Sequence, residues 1–271
     1  AGITLAARHH LKKVELFNDG DFVGALSKSA KAKLQDFKAN LKLHNNTSED
    51  IRNILSSNDD ILKFEVIKHI TENCSKHINE ETWENIFDTV ISLKTNNKLK
   101  EKFIVAHTNK VLEKMHENNL FKSEVIDKVL TKTENLNENF KVNILHNLTE
   151  GYFQREPHFR QIVPKFNTEQ IEKSLNMIDK IQRNDFVFQE SAGGIFEINT
   201  KINVTGLRYE FSKQIFQNRK LDENFISDFK KVINNDKLSD DLKLQIIHNI
   251  HYNHELGNRY SDIGRKLDKE M

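Results

Sequence analysis

The sequence predicts an all-α protein, an α-α solenoid of helical pairs interrupted once by a β-hairpin. Three observations predict it. Apolar residues recur at three- and four-residue steps through most of the 271-residue chain. Segments of one pattern return at intervals of roughly 35 to 40 residues. One stretch alone, NDFVFQESAGGIFEINTKINVTG at 184–206, alternates apolar and polar residues with the period of a strand.

The first 46 residues are the least regular and read as an atypical N-terminal cap, because the end of a stack must show water a polar face. Asn18, Asp19, Gly20 and Asp21 read as a turn, and residues 25–41 as a helix. From Ser48 onward the pairs begin. Their second helices superpose without gaps: LKFEVIKHI from Leu62, FKVNILHNL from Phe140, LRYEFSKQI from Leu207 and LKLQIIHNI from Leu242. FIVAHTNKV from Phe103 fits less well. The first, third, fifth and usually ninth positions are apolar, with Phe64, Val142, Tyr209 and Leu244 at the third. So wide an apolar arc predicts burial on more than one side, as in a helix held between neighbours.

A second amphipathic segment precedes each of these. Ser48, Asn79, Ser123, Thr168 and Asp222 stand where a side chain accepts a free backbone N–H, with Glu or Asp close behind to favour the positive end of the helix. The inner positions Trp83, Ile86 and Val90, or Phe225, Phe229 and Val232, recur at three- and four-residue steps. Residues 253–271 are expected to cap the far end, and the whole of 1–271 to form one domain.

The spacing breaks once, between Phe140 and Leu207. Residues 151–166 hold both prolines, Pro157 and Pro164, and read as an irregular connector. The hairpin insert follows at 184–206, with Phe186 and Phe188 on one strand, a turn at 190–194 and the other strand at 195–204. Gly193 and Gly194 supply the positive φ that a tight hairpin turn needs. A two-stranded hairpin is barely stable alone in water. The face of Phe196, Ile198, Ile202 and Val204 must therefore cover something. Either it is a lid on the chain's own helix ends, or it is an arm that docks on a partner or adds a strand to it.

The second helix resembles that of HEAT repeats, where an apolar residue is followed directly by Arg or Lys and often preceded by Asp. Asp240, Leu242 and Lys243 carry this, as do Asp59, Asp60, Leu62 and Lys63. Leu207–Arg208 and Phe140–Lys141 keep the apolar-basic pair, but Thr205 and Glu138 stand where Asp is expected, and Ile104 after Phe103 loses the motif. The resemblance covers about residues 48–252. It implies a HEAT/armadillo-like superhelical solenoid of five or six helical pairs. In such arrays the basic residue commonly joins a ladder of hydrogen bonds and ion pairs. Stacking would align Lys63, Lys141, Arg208 and Lys243 as a basic column, either that ladder or a groove for an acidic partner.

Composition bounds the function. The balance of 41 Lys+Arg against 40 Asp+Glu lacks the basic excess of a dedicated nucleic-acid binder. The single cysteine, Cys74, excludes an intrachain disulfide. No run approaches the ~18 apolar residues of a membrane span. Ala1 followed by Arg8, Lys12 and Lys13 fits either a processed end or an arbitrary start, and the expected location is intracellular, in cytoplasm or an organelle interior such as the mitochondrial matrix. His248, His251 and His254, with Glu255, spread over ~120° of helix and read as ordinary polar positions, not a metal site. Arg155, His158 and Arg160 in the connector form no recognisable catalytic arrangement. No Gly-rich phosphate loop, GxSxG elbow or HExxH is present. The expected function is a non-enzymatic, cofactor-free scaffold or complex subunit that binds other proteins. Phe186, Phe188, Phe196, Ile198, Lys63, Lys141, Arg208 and Lys243 are its candidate partner-binding residues. The alternative is nucleic-acid or phosphate-backbone binding along the basic column.

Overall fold

A computed structural model describes residues 22–42, 48–73, 78–96, 99–150, 162–192, 196–215 and 222–252, with hairpin side chains described at 185–187 and 201–203. Among the described residues there are eleven α-helices and one two-stranded sheet. The helices are α1 (Lys28–Lys42), α2 (Ser48–Leu55), α3 (Asp60–Asn73), α4 (Glu80–Ser92), α5 (Glu101–Glu117), α6 (Ser123–Glu134), α7 (Glu138–Glu150), α8 (Thr168–Asp179), α9 (Val204–Gln214), α10 (Glu223–Ile233) and α11 (Asp240–Tyr252). Strands β1 (Asp185–Ala192) and β2 (Phe196–Asn203) lie between α8 and α9. Short 3-10 turns occupy Val23–Ala25 and Val163–Lys165. No helix among the described residues is long and apolar enough to cross a membrane. The protein is mostly helical, as the periodicity predicts.

Side-chain caps start several of the helices. Asn79 accepts from Thr82 N at 2.9 Å and Asp222 from Phe225 N at 2.9 Å, as their positions predict. Three of the expected cap residues are instead already helical, Ser48 as the first residue of α2 among them. Thr168 is already helical, and Asn167 before it forms a capping box with Gln170. Ser123 is likewise inside α6, where its hydroxyl accepts from Gln170 Nε2 at 3.1 Å. The second helices have caps of their own. Asp59 Oδ1 accepts from Leu62 N at 3.0 Å, Asn137 Oδ1 from Phe140 N at 3.2 Å, and Ser239 Oγ from Leu242 N at 3.4 Å. In each case the cap sits three residues before the first apolar position.

The chain divides into two compact units, Ala1–Leu120 with Phe188–Thr200, and Phe121–Val187 with Lys201–Met271. In the first, α1 packs on α3 and α3 on α5, while α2 packs on α4. Consecutive helices α2–α3, α3–α4 and α4–α5 are also in contact. With α1, α2, α4 and α5 all against it, α3 buries Leu62, Phe64, Val66, Ile67 and Ile70. Its apolar residues therefore spread around the axis instead of lining one stripe. In contrast α2 faces its neighbours on one side and buries only Ile51 and Leu55.

The second unit repeats the arrangement. Odd-numbered helices pack on odd, α7 on α9 and α9 on α11; even on even, α6 on α8 and α8 on α10. Phe211 of α9 meets Phe166 edge-on with centroids 6.0 Å apart, which fixes the end of the connector beside Val163–Lys165. The rest of the connector, including Pro157, and Cys74 lie outside the described residues.

The hairpin departs from expectation at its end. Val204 is the first residue of α9, not the last of a strand. Asn203 explains the handover, since its side chain caps α9 by accepting from Gly206 N at 3.1 Å. Strand therefore passes into helix with no loop.

Asn167→Ala removes the acceptor for Gln170 N and leaves only the other arm of the box, from the backbone N–H at 167 to Gln170 Oε1. A loss of about 1–2 kcal/mol is expected in urea unfolding. Thr168→Ala leaves both arms of the box in place, so a larger loss there would show that the cap is not what anchors this helix start.

Candidate functional site

The root of the hairpin is clamped to the helices. Val204 N donates to Asn184 O at 2.7 Å, Thr205 Oγ1 donates to Asn184 Oδ1 at 3.1 Å, and Asn203 Nδ2 donates to Asp185 Oδ1 at 3.0 Å. Phe186 is 1% exposed, with the Arg183 guanidinium 3.9 Å from its ring centroid. Ile202 is buried too, whereas Lys201 and Asn203 are exposed. The alternation read from the sequence thus holds at the root. Val187, on the opposite face from Phe186, is 58% exposed. Phe186 is therefore committed to the chain's own interior and is not free for a partner. The side chains of Phe188, Phe196 and Ile198 lie outside the described residues.

Three of the four basic positions have partners within the fold. Lys63 Nζ is 2.6 Å from Asp60 Oδ1, and Lys243 Nζ is 3.9 Å from Asp240 Oδ1, each within its own first turn. Arg208 Nη2 donates to the carbonyls of Ile178 and Asp179 at 3.4 and 3.3 Å. It thereby adds a cationic donor to carbonyls at the negative end of α8. Lys141 is half-buried on α7. The acids complete the pattern. Asp60 Oδ2 accepts from Lys94 N at 3.1 Å and Glu138 Oε1 from Gln182 N at 2.9 Å. In both, the first turn of an odd-numbered helix holds the backbone just past the next even-numbered one. Asp179 accepts from Ser239 N at 2.7 Å and from Ser239 Oγ at 2.6 Å.

Sequence reasoning missed a group of exposed apolar residues. Tyr209 is 45%, Leu244 62% and Ile247 42% exposed, on α9 and α11, which pack side by side. Tyr209 and Leu244 hold the third position of their segments, where Phe64 and Val142 are buried. In the first unit the cover comes from outside the periodic pattern. Phe22 lies edge-on to Phe64 at 5.6 Å and to Phe103 at 5.3 Å, and its N–H donates to Glu65 Oε1 at 2.8 Å. No described residue does this for Tyr209 and Leu244. Ile247 is at the sixth position, buried as Ile67 and Leu145 where another odd-numbered helix follows, and no described helix follows α11. The available signal was that α11 is the last helix of the pattern.

Titratable groups with strong shifts sit in the packed interior. His107 is pushed down to about 3, by burial first and then by Lys110 and Lys68. Its Nε2 lies 3.0 Å from Thr71 Oγ1, and its ring packs 5.2 Å from that of Phe64. His146 is pushed down to about 4 by burial. His248 is exposed. No group of three or more His, Cys, Asp or Glu able to hold a metal occurs among the described residues. The side chain of His251, together with His254, Glu255, Arg155, His158 and Arg160, falls outside them. An open cavity of about 640 Å³ between α8 and α10 is lined by Asn176, Asn234, Lys230, Lys231 and Lys237, among others.

Comparison with protein-family models, with curated proteins and with solved structures gives no match.

The buried histidines set an acid limit on stability. Folded His107 stays neutral down to about 3, whereas the unfolded chain protonates it below its ordinary value of 6.5. The unfolded state thus binds more protons in this window, and stability falls as pH is lowered from 6.5 toward 3. Between pH 7 and pH 4.5 the loss expected in urea unfolding is roughly 2 kcal/mol for this group. His107→Gln is expected to flatten the dependence; an unchanged slope would assign it to other groups.

Proposed function

We propose that this chain is a non-enzymatic scaffold or structural subunit that binds other protein surfaces. Each unit is read as a stack of HEAT-like helical pairs, with the hairpin as a docking arm. The packing of odd helices on odd and even on even supports the stacked-pair reading, because each pair leaves apolar surface that only the next can cover. The acid-to-backbone ties from Asp60 and Glu138 support it as well.

The observation that carries the binding role is the exposed Val187 on a sheet of only two strands with a clamped root. Edge strands present backbone donors and acceptors to any third strand of matching register. A fixed root keeps that edge oriented and lowers the entropy lost on docking. Nucleic-acid binding along the basic column is the weaker reading. Lys63 and Lys243 already pair with acids, and Arg208 with carbonyls, which counts against an open cationic groove.

Purification under native conditions at low and high salt, with co-eluting material identified by mass and by absorbance at 260 nm, tests the proposal. A protein complex that survives high salt is expected. Val187→Asp is expected to weaken it at least tenfold while changing stability by less than about 0.5 kcal/mol, as for surface substitutions. Full binding by that variant would leave the hairpin as a lid. Nucleic acid released by salt would move the function to the basic column.

A further inference from the structure

We propose that the exposed face of α1 is a contact surface for the sugar-phosphate backbone of a double-stranded nucleic acid. The chain as a whole is nearly neutral, but its charge is unevenly spread. Between Lys28 and Lys42, α1 carries five Lys against one acid, Asp36. No other described helix has a net charge above +1. Buried Ala30, Leu34, Phe37 and Leu41 commit one side of α1 to the core, where it packs on α3. At about 100° per residue, Lys28, Lys31 and Lys38 fall within ~80° of one another along one border of that buried side, in a stripe about 15 Å long. Lys33 stands at the other border, and Ser29, Ala32 and Ala39 are exposed between them. Lysines thus flank a strip of short side chains that lets a partner come close to the helix.

These lysines differ from others in the fold. Lys63, Lys114 and Lys243 each pair with an acid three residues away. Among the described residues Lys28, Lys31, Lys33 and Lys38 form no ion pair. Lys28 and Lys31 repel one another at three-residue spacing, in a first turn that holds no acid and where cations oppose the helix dipole. The helix therefore gathers like charges against its own electrostatics, a conflict that an anionic partner reverses. Lys31 and Lys38 are half-buried, which restricts their long stems and lowers the entropy lost when the ammonium groups are engaged.

Residue types choose among anions. An interfacial membrane helix needs an apolar face, and that of α1 is spent on the core. Protein interfaces favour Arg and aromatic residues and are poor in Lys, whereas α1 has no Arg and its single aromatic residue, Phe37, is buried. Nothing on its exposed face can stack on an unpaired base, which points to a duplex with its bases turned inward. Lysine is a flexible point charge that meets phosphates without selecting a base edge, so the contact is to backbone and independent of sequence. The inference does not rest on the hairpin's role, and its test uses the purified chain alone.

Fluorescence anisotropy of labelled RNA and DNA duplexes of unrelated sequence, titrated with the full chain between about 50 and 200 mM salt, tests it. Binding to one or both duplex types is expected, with log affinity falling against log salt at a slope of about −3 to −4 for four lysines. Lys31→Gln with Lys38→Gln is expected to weaken low-salt binding at least tenfold and to make the slope shallower by about two, with the urea midpoint unchanged. Lys231→Gln with Lys237→Gln removes the same charge from the neighbourhood of α10 and is expected to leave binding within about twofold of the native chain. Equal losses in the two double variants would reduce the effect to net charge and overturn the proposal. So would the absence of duplex binding at low salt. Tighter binding to a single strand, to a poly-glutamate peptide or to phosphatidylserine vesicles than to either duplex would overturn it as well, and assign α1 to that partner instead.

Discussion

The structure depends on one constraint: its odd-numbered helices carry more apolar surface than a single partner can hide. Leu62, Phe64, Val66, Ile67 and Ile70 point several ways from α3, and each is buried because a different helix lies on each side. Fully burying such a side chain is worth about 1.5–3 kcal/mol, so a helix left on one neighbour would forgo several of these terms. That arithmetic forces stacking. It also explains why α2 and α10, which face fewer neighbours, keep clean polar faces.

Polar groups then fix the spacing that burial alone leaves loose. Hydrophobic contact is non-directional, and helices in a stack could slide by a turn with little loss. Asp60 on Lys94 N and Glu138 on Gln182 N remove that freedom, because each joins a carboxylate to one particular backbone donor. Arg208 on the end of α8 and Ser239 on Asp179 do the same in the second unit. The recurring charge pattern of the segments is therefore spent inside the fold, on register.

The hairpin is the point where local signals compete. Asn203 and Asn184 resolve the competition, one capping the helix and the other holding Val204 and Thr205, so that two strands fit between α8 and α9 without disturbing either. Phe186 and Ile202 turn inward at that root, and Val187 is left outside because successive residues of a strand face opposite ways.

The sequence by itself determined the helices, their order in pairs, the place of the hairpin and the inward parity of its root. These follow from periodicity, which is a local property. The cap of α8 was legible only to within a residue: Asn167 and Thr168 can both accept a backbone N–H, and the choice rests on which of them leaves Gln170 able to reply. Tertiary structure alone decided which apolar residues are covered. Phe64 and Tyr209 are indistinguishable in their segments, yet one is buried under Phe22 and the other is exposed, because cover comes from residues far away in the chain. It likewise decided that Lys63, Arg208 and Lys243 serve the fold first. A pattern records that a basic residue recurs, but only distances show the acid or carbonyl that it meets.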